Sequence, residues 1–274
     1  MLSKRLAACG PSSTRETKLA RFNLFRRSSP ASAGPATPGG RIVYAVGDVH
    51  GRADLLGVLI GKIRDDASTL PADPRPVLVF LGDYVDRGAQ SREVIDQVIA
   101  QRDEGGFEVR TLKGNHEDAL ATFLGDPPFG QTWADYGGME TLRSYGVAPP
   151  QLRSRPEEWE QARDAFGAAL PPSHIDFLNR LELMAVYGDY AFVHAGVRPG
   201  APLEAQTEHD LLTIRDAFLR SSARFEKVIV HGHTPEAEPF VGERRIGVDT
   251  GAYATGVLTA VRLMDADRTI IQAT

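Results

Sequence analysis

The sequence predicts an α/β fold, and three observations carry that prediction. Short apolar runs of strand length alternate along the chain with stretches whose apolar residues recur at helical spacing. Six of the apolar runs lead into polar ends, at Asp48, Asp83, Asn115, His194, His233 and Asp249, four of them directly after a glycine. The length of 274 residues lets one domain bury a sizeable core. Ligands in α/β proteins bind at the carboxyl ends of strands. Buried polar side chains must be satisfied, and one shared site satisfies all six most simply.

Arg41–Val46 reads as the first strand and runs into Gly47-Asp48-Val49-His50-Gly51. Asp-x-His puts two side chains on the same side of an extended segment. A carboxylate and an imidazole at that spacing chelate a divalent ion. Asp48 is equally compatible with capping the helix expected from Ala53 to Arg64. Val77–Leu81 is the second strand and ends in Gly82-Asp83-Tyr84-Val85-Asp86-Arg87-Gly88. That stretch delivers two carboxylates and a guanidinium: one acid for a metal, one to orient a base, the arginine for a phosphate. A polar turn with an internal ion pair fits the same residues. A helix follows from Ser91, its expected N-cap, to Gln101, with Gly105-Gly106 as the stop. Phe107–Leu112 is the third strand, running into Lys113-Gly114-Asn115-His116-Glu117. Asn115 offers a carbonyl oxygen to a metal or an amide to a phosphate, and His116 is an acid–base candidate. A plain helix start capped by Asn115 is the alternative for Glu117–Leu124.

Between 125 and 183 the pattern changes to proline- and glycine-punctuated helices at Thr132–Tyr145, Pro156–Ala169 and Ser173–Arg180, read as an inserted helical cap. Trp133, Tyr136, Tyr145 and Trp159 could line a substrate cleft, but most are expected to pack the cap on itself, and His174 to have a surface or capping role. Tyr190–Val193 ends in His194-Ala195-Gly196, and a helix from Asp210 to Arg220 carries Arg215. Lys227–Val230 ends in His231-Gly232-His233-Thr234-Pro235, and Arg245–Val248 ends in Asp249-Thr250-Gly251. Leu258–Met264 and Thr269–Gln272 close the sheet region.

Net charge is −5, unevenly spread. Residues 1–41 hold eight of the 31 basic residues and one of the 36 acidic ones. The remaining 23 basic and 35 acidic residues make the body acidic, which argues against a surface that coats nucleic acid. Residues 1–40 read as a flexible basic Ser/Pro/Gly-rich arm, and 41–274 as the catalytic domain. Lys18–Arg27 has the pattern of a short basic amphipathic helix able to touch lipid or a partner. Leu6-Ala7-Ala8-Cys9 resembles a lipoprotein cleavage site but lacks a preceding apolar region. Cys9 is the only cysteine. An internal disulfide framework, a thiolate metal site and a thiol nucleophile in the body are thereby excluded, and a reducing, cytoplasmic compartment is expected. No run approaches the ~18 apolar residues of a membrane span.

Gly-Asp-Val-His-Gly, Gly-Asp-Tyr-Val-Asp-Arg-Gly, Gly-Asn-His-Glu, His-Ala-Gly and Gly-His-Thr-Pro occur in that order from 47 to 235. The set resembles the PPP family of metallophosphatases within the calcineurin-like phosphoesterases, and most closely the bacterial and phage branch. That branch includes serine/threonine protein phosphatases and symmetrical diadenosine-tetraphosphatases. The resemblance covers 41 to about 263 and implies an αββα fold: two mixed β-sheets packed as a sandwich, flanked by helices, with the site under the cap. It implies that Asp48 and His50 hold a first metal, that Asp83 bridges, and that Asn115, His194 and His233 hold a second. It implies that Asp86 orients His116 as proton donor, and that Arg87, Arg215 and Asn115 bind the phosphate. Mn2+ suits the oxygen and nitrogen donors and this branch; Fe, Zn, Ni or Co fit the same ligands. Lys113 departs from the arginine common before Gly-Asn-His-Glu and loses its bidentate fork. The implied activity is dinuclear metal-dependent hydrolysis of phosphomonoesters by attack of a metal-bridging hydroxide, as a serine/threonine protein phosphatase. The alternative is symmetrical hydrolysis of diadenosine tetraphosphate to ADP. A non-catalytic docking protein of the same fold is the third reading, and the retained ligands and His116 argue against it.

Overall fold

The computed structural model describes residues 34–274 except Leu152. The expected basic helix and Cys9 lie outside the described residues. Residues 35–40, read as part of the flexible arm, are pinned to the body. Thr37 is buried and exchanges hydrogen bonds with the backbone of Asp265, and Tyr190 Oη donates to the Pro35 carbonyl.

Ten strands form two five-stranded sheets among the described residues. They are β1 Val43–Val46, β2 Val77–Phe80, β3 Glu108–Thr111, β4 Met184–Tyr187, β5 Tyr190–Val193, β6 Val228–His231, β7 Phe240–Val241, β8 Arg245–Gly247, β9 Leu258–Met264 and β10 Asp267–Ala273. The first sheet has the order β10-β9-β1-β2-β3, with β1, β2 and β3 parallel and β9 and β10 antiparallel. The second has the order β4-β5-β6-β8-β7, with β5, β6 and β8 parallel and the outer strands antiparallel. Both sheets are therefore mixed, as expected. β4 and β7 had no sequence signal of their own; β7 is two residues long and exposed.

The helices are α1 Ala53–Ser68, α2 Ser91–Asp103, α3 Asn115–Gly125, α4 Gly130–Asp135, α5 Gly138–Ser144, α6 Pro156–Ala169, α7 Pro172–Asn179, α8 Glu208–Thr213, α9 Asp216–Leu219 and α10 Ala252–Thr255. Strand side chains alternate between faces, and the burial follows that period. Val43, Ala45, Val77 and Val79 of the first sheet meet Tyr190, Phe192, Val228 and Val230 of the second in one apolar layer. Tyr44, Val46, Leu78 and Phe80 turn the other way, onto α1 and α2 through Leu56, Leu59, Val94 and Val98. Ala191, Val193 and Ile229 face Leu211 and Phe218 of α8 and α9. The result is the αββα sandwich, and strands covered on both faces account for the near-continuous apolar runs.

Two expected helices are divided, and one expected cap is reassigned. Thr132–Tyr145 is two helices, because Gly137 takes φ +100 between α4 and α5. Asp210–Arg220 is also two, broken at Ile214 and Arg215. Ser91 does not cap α2: Gln90 holds that position, and Ser91 Oγ accepts the Asp86 N–H at 3.1 Å. His174 is not at the surface. It is fully buried, with Nδ1 2.7 Å from Tyr145 Oη and Nε2 2.8 Å from Asp96, joining α7 to α2 and the end of α5. The Asp96 carboxylate accepts from Nε2, and Tyr145 Oη satisfies Nδ1.

Candidate active site

The ends of β1, β2, β3, β5, β6 and β8 converge on one edge of the sandwich. The backbone there is unusual. His50, Asp83, Asp86, Arg87 and His233 have positive φ, five of the seven non-glycine residues that do so among the described residues. Each such conformation costs about 1–3 kcal/mol and persists only where its surroundings hold it. Glu117 is a main support: it accepts hydrogen bonds from the backbone of Asp83, Tyr84, Val85 and Gly114 at 2.8–3.3 Å. Two glycines are required by close approach: a Cβ at Gly114 would fall inside the Asp83 carboxylate, and one at Gly232 inside the Asp48 carboxylate.

Asp83 lies at the centre. His50 Nε2 is 3.4 Å from its Oδ2, His116 Nε2 is 3.9 Å from the same oxygen, and His194 Nε2 is 3.5 Å from Oδ1. His50, Asp83 and His116 present donor atoms within 4.8 Å of one another, as do Asp83, His194 and His233. Asp48 belongs to neither triplet; its two oxygens accept the His233 backbone N–H at 3.1 and 3.0 Å. Asn115 Oδ1 lies 3.0 Å from His194 Nε2 and 2.7 Å from His233 Nδ1. Of the site residues predicted from the sequence, all but Arg215 lie in one network of contacts formed by these groups, Asp86 and Arg87.

The donor chemistry fits bound cations. His194 Nδ1 donates to the Leu81 carbonyl, so its Nε2 lone pair faces the oxygens of Asn115 and Asp83 with no proton between them. His50 Nδ1 likewise donates to Val85 O and turns its Nε2 to Asp83. His233 Nε2 is buried with no hydrogen-bond partner. Backbone acceptors thus fix which nitrogen of His50 and His194 is left as a ligand. Burial lowers His50 and His233 to about 3 and also lowers His194, so these rings are neutral, the form that binds metal. Burial raises Asp48 well above the carboxylate range, with Asp249 and Asp83 adding to it, and burial lifts Asp249 to about 6. Burial alone would raise Asp83 too; positive charge on His194, His116 and His50, when those rings are protonated, instead holds it well below the usual range, and with His50 and His194 neutral a bound cation would supply that charge. Three crowded carboxylates are what a divalent pair would neutralise, and three neutral imidazoles are donors that would bind it.

Beside this cluster sits a second unit. His116 Nδ1 lies 2.7 Å from Asp86 Oδ2, and Arg87 Nη2 lies 3.2 Å from His116 Nε2. Burial works against protonation of His116, but Asp83 and Asp86 outweigh it and raise its pKa. Asp86 is fully buried and completely hydrogen-bonded. Trp133 Nε1 donates to Oδ2 at 2.9 Å, Thr141 Oγ1 donates to Oδ1 at 2.6 Å, and the Asp86 N–H is taken by Thr141 and Ser91. Gly137 O accepts the Arg87 N–H at 3.2 Å. Trp133, Gly137 and Thr141 come from the helical segment, and sequence reasoning misses them as parts of the site. Only the run of Trp, Gly-Gly and Thr at 133–141 could have pointed to them. Arg215, the exposed N-cap of α9, is felt by His194 and His233, whose pKa values its charge lowers. Lys113 does not reach into the site as a free cation: its ammonium is 2.6 Å from Asp118 and 2.9 Å from Glu208.

Residues 42–262 match the family described as Calcineurin-like phosphoesterase. The chain belongs to that family. Its relatives include the asymmetrical bis(5'-nucleosyl)-tetraphosphatase PrpE of Anoxybacillus flavithermus, 27% identical over 251 residues, covering 84% of this chain and 93% of the relative. A protein phosphatase 2A catalytic chain of Dictyostelium discoideum is 28% identical over 209 residues, covering 74% of this chain and 53% of the relative. Among solved structures, a serine/threonine phosphatase from Saccharomyces cerevisiae matches with a TM-score of 0.53 at 17% identity, over 88% of this chain and 84% of that one. This calcineurin-like phosphoesterase therefore stands in the PPP branch, as a phosphoester hydrolase whose His and Asp residues could hold a dinuclear site. No described helix is long and apolar enough to cross a membrane.

Proposed function

We propose that this phosphoesterase hydrolyses phosphomonoesters as a serine/threonine protein phosphatase, with Mn2+ as its metal. Asp48, His50, Asp83, Asn115, His194 and His233 would hold two cations. The chemistry the pair supplies when bound is Lewis acidity: a more acidic water and a screened phosphate charge. The chain's own residues do the rest. Arg87 and Arg215 grip the phosphoryl oxygens, with the Asn115 amide beside them. His116 holds its ring through Nδ1 on Asp86 and delivers a proton from Nε2 to the departing oxygen. Trp133 and Thr141 keep the Asp86 carboxylate aimed, so the imidazole stays in one tautomer.

One observation supports the monoester in particular. Arg87 and Arg215 make no ion pair among the described residues, while Lys113 is neutralised by Asp118 and Glu208. Two free guanidiniums match a single phosphoryl group better than a tetraphosphate chain. The second reading, a dinucleoside tetraphosphatase, is favoured by the coverage of the PrpE relative, nearly end to end. That relative is named as asymmetrical, so the products to look for are ATP and AMP as well as the ADP of a symmetrical cut. The single cysteine supports a cytoplasmic setting.

The test is turnover by metal-stripped protein with Mn, Mg, Zn, Ni and Co added back. p-Nitrophenyl phosphate, a phosphothreonine peptide and diadenosine tetraphosphate are compared in parallel. Mn-dependent phosphate release from the peptide is expected. A fast dinucleotide rate with a weak peptide rate would replace the first reading by the second. No turnover with any metal would leave a docking protein.

A further inference from the structure

Tyr253 lies on α10, four residues held between two left-handed glycines, Gly251 at φ +65 and Gly256 at φ +75. The helix is fastened from several sides. The Gly251 N–H donates to Asp249 Oδ1 at 2.8 Å, Arg52 Nη1 to Ala252 O at 2.9 Å, and Thr255 Oγ1 to Thr250 O at 2.8 Å. Ala252 is buried beneath it. A short helix so anchored presents its one large side chain in a fixed place. That side chain is 40% exposed, among the few large apolar groups left at the surface. It is not idle there. The Arg87 guanidinium carbon sits 4.7 Å from the Tyr253 ring centroid, and the His50 ring stands edge-on to the same tyrosine at 5.5 Å.

This matters because of what surrounds Arg87. Asp48 and Asp249 both feel its charge. A guanidinium has five N–H donors, all in its plane, and a carboxylate partner takes two of them. An aromatic face attracts the cation through its quadrupole and leaves the in-plane donors free. The Arg87 backbone is fixed by Gly137 from the helical segment, while the head has one hydrogen-bonding neighbour, His116 Nε2, at 3.2 Å. Tyr253 is the only aromatic ring over which that head lies among the described residues. It also touches His50, so it sets the head at a constant distance from the metal-ligand cluster.

We propose that Tyr253 is the positioning residue of Arg87, holding the guanidinium by its face so that its edge stays free for a phosphoryl group. The proposal rests on the phosphoester reading above. It makes Tyr253 a determinant of phosphate affinity and of KM, acting through Arg87, with little part in the chemical step.

The experiment uses the full chain loaded with Mn2+ and reads two quantities. The first is the Kd of inorganic phosphate by calorimetry; the second is KM and kcat for p-nitrophenyl phosphate. Tyr253→Leu keeps apolar volume and removes the quadrupole. About a fivefold rise in both Kd and KM is expected, with kcat within about twofold of the parent. Tyr253→Phe, which keeps the ring, is expected to match the parent in both. In an Arg87→Ala background, Tyr253→Leu is expected to add nothing, the sign of a shared interaction. Unchanged phosphate affinity in Tyr253→Leu overturns the proposal. So does equal loss in Tyr253→Phe, or full additivity with Arg87→Ala. A parent protein that binds phosphate but turns nothing over would refute the hydrolase reading and leave the Kd comparison to decide this one. Melting curves check that each variant is folded.

Discussion

The strand ends and the helical segment meet at Asp86, and they are built in opposite ways. The strand ends carry the reactive groups on strained backbone, with positive φ at His50, Asp83, Asp86, Arg87 and His233. The helical segment from α4 to α7 carries the bulk. Trp133, Trp159 and Phe166 are at most 1% exposed; Trp133 stacks on Phe123, Trp159 meets Phe123 edge-on, and Phe166 tilts against Trp133. It sends supports toward the site, Trp133 Nε1, Thr141 Oγ1 and Gly137 O, and sets the Tyr136 ring edge-on to His116 at 6.3 Å. The difference teaches that a strained polar cluster needs a rigid apolar block behind it. Strain of this kind is stable only when neighbouring packing has no alternative arrangement to relax into.

The comparison breaks or holds on the size of mutational effects. The largest loss is expected at the centre of the strand-end cluster. Asp83→Asn removes the charge between the two ligand triplets with almost no change of shape, and turnover of p-nitrophenyl phosphate should drop on the order of 10^3-fold. Metal content measured on the same sample should fall with it. His116→Ala should cost about 10^2-fold or more, and more on a phosphoserine peptide than on p-nitrophenyl phosphate. The reason is that p-nitrophenolate leaves readily without a proton; equal losses on both substrates would deny His116 the donor role.

Thr141→Val tests the support side. It strips two hydrogen bonds from a fully buried aspartate. We expect about 10-fold in kcat, as for other groups that orient a ligand or base, and about 1–2 kcal/mol of stability in urea titration. A loss as large as that of Asp83→Asn would mean that the helical segment takes a direct part in the chemistry.

The smallest effect is expected away from both regions, where the two sheets are tied at their edge. Tyr187 Oη donates to Glu108 Oε1 at 2.5 Å, and Arg41 pairs with the same carboxylate. The tyrosine hydrogen bond lowers the Glu108 pKa, against burial and with help from Arg41. A carboxylate lowered on folding stabilises the fold above its unfolded pKa of about 4.3, and that contribution disappears as pH falls through the lower folded value. Glu108→Gln should therefore cost about 1 kcal/mol at neutral pH with kcat unchanged. The gap to the parent should close in urea titrations between about pH 5 and pH 3. A gap that widens on acidification would reverse the assignment.

Much of this protein is legible in the chain alone, for a local reason. Burial on both faces makes β1, β2, β5 and β6 near-continuous apolar runs, and a polar residue at the end of such a run has only one edge to occupy. That determined the α/β class, the order of strand ends, and the gathering of Asp48, His50, Asp83, Asn115, His194 and His233. What lay beyond the sequence depends on contacts between residues far apart in it. Ser91 serves the Asp86 N–H instead of capping α2, because the turn carrying Asp86 folds back onto it. His174 is interior, because Tyr145 and Asp96 satisfy both of its nitrogens. Lys113 is withdrawn from the site by Glu208, 95 residues away. Tyr253 meets Arg87 only because the loop after β8 returns beside the loop after β2. Sequence periodicity reports which face of an element is buried; only the tertiary fold decides which distant polar partner completes each buried group.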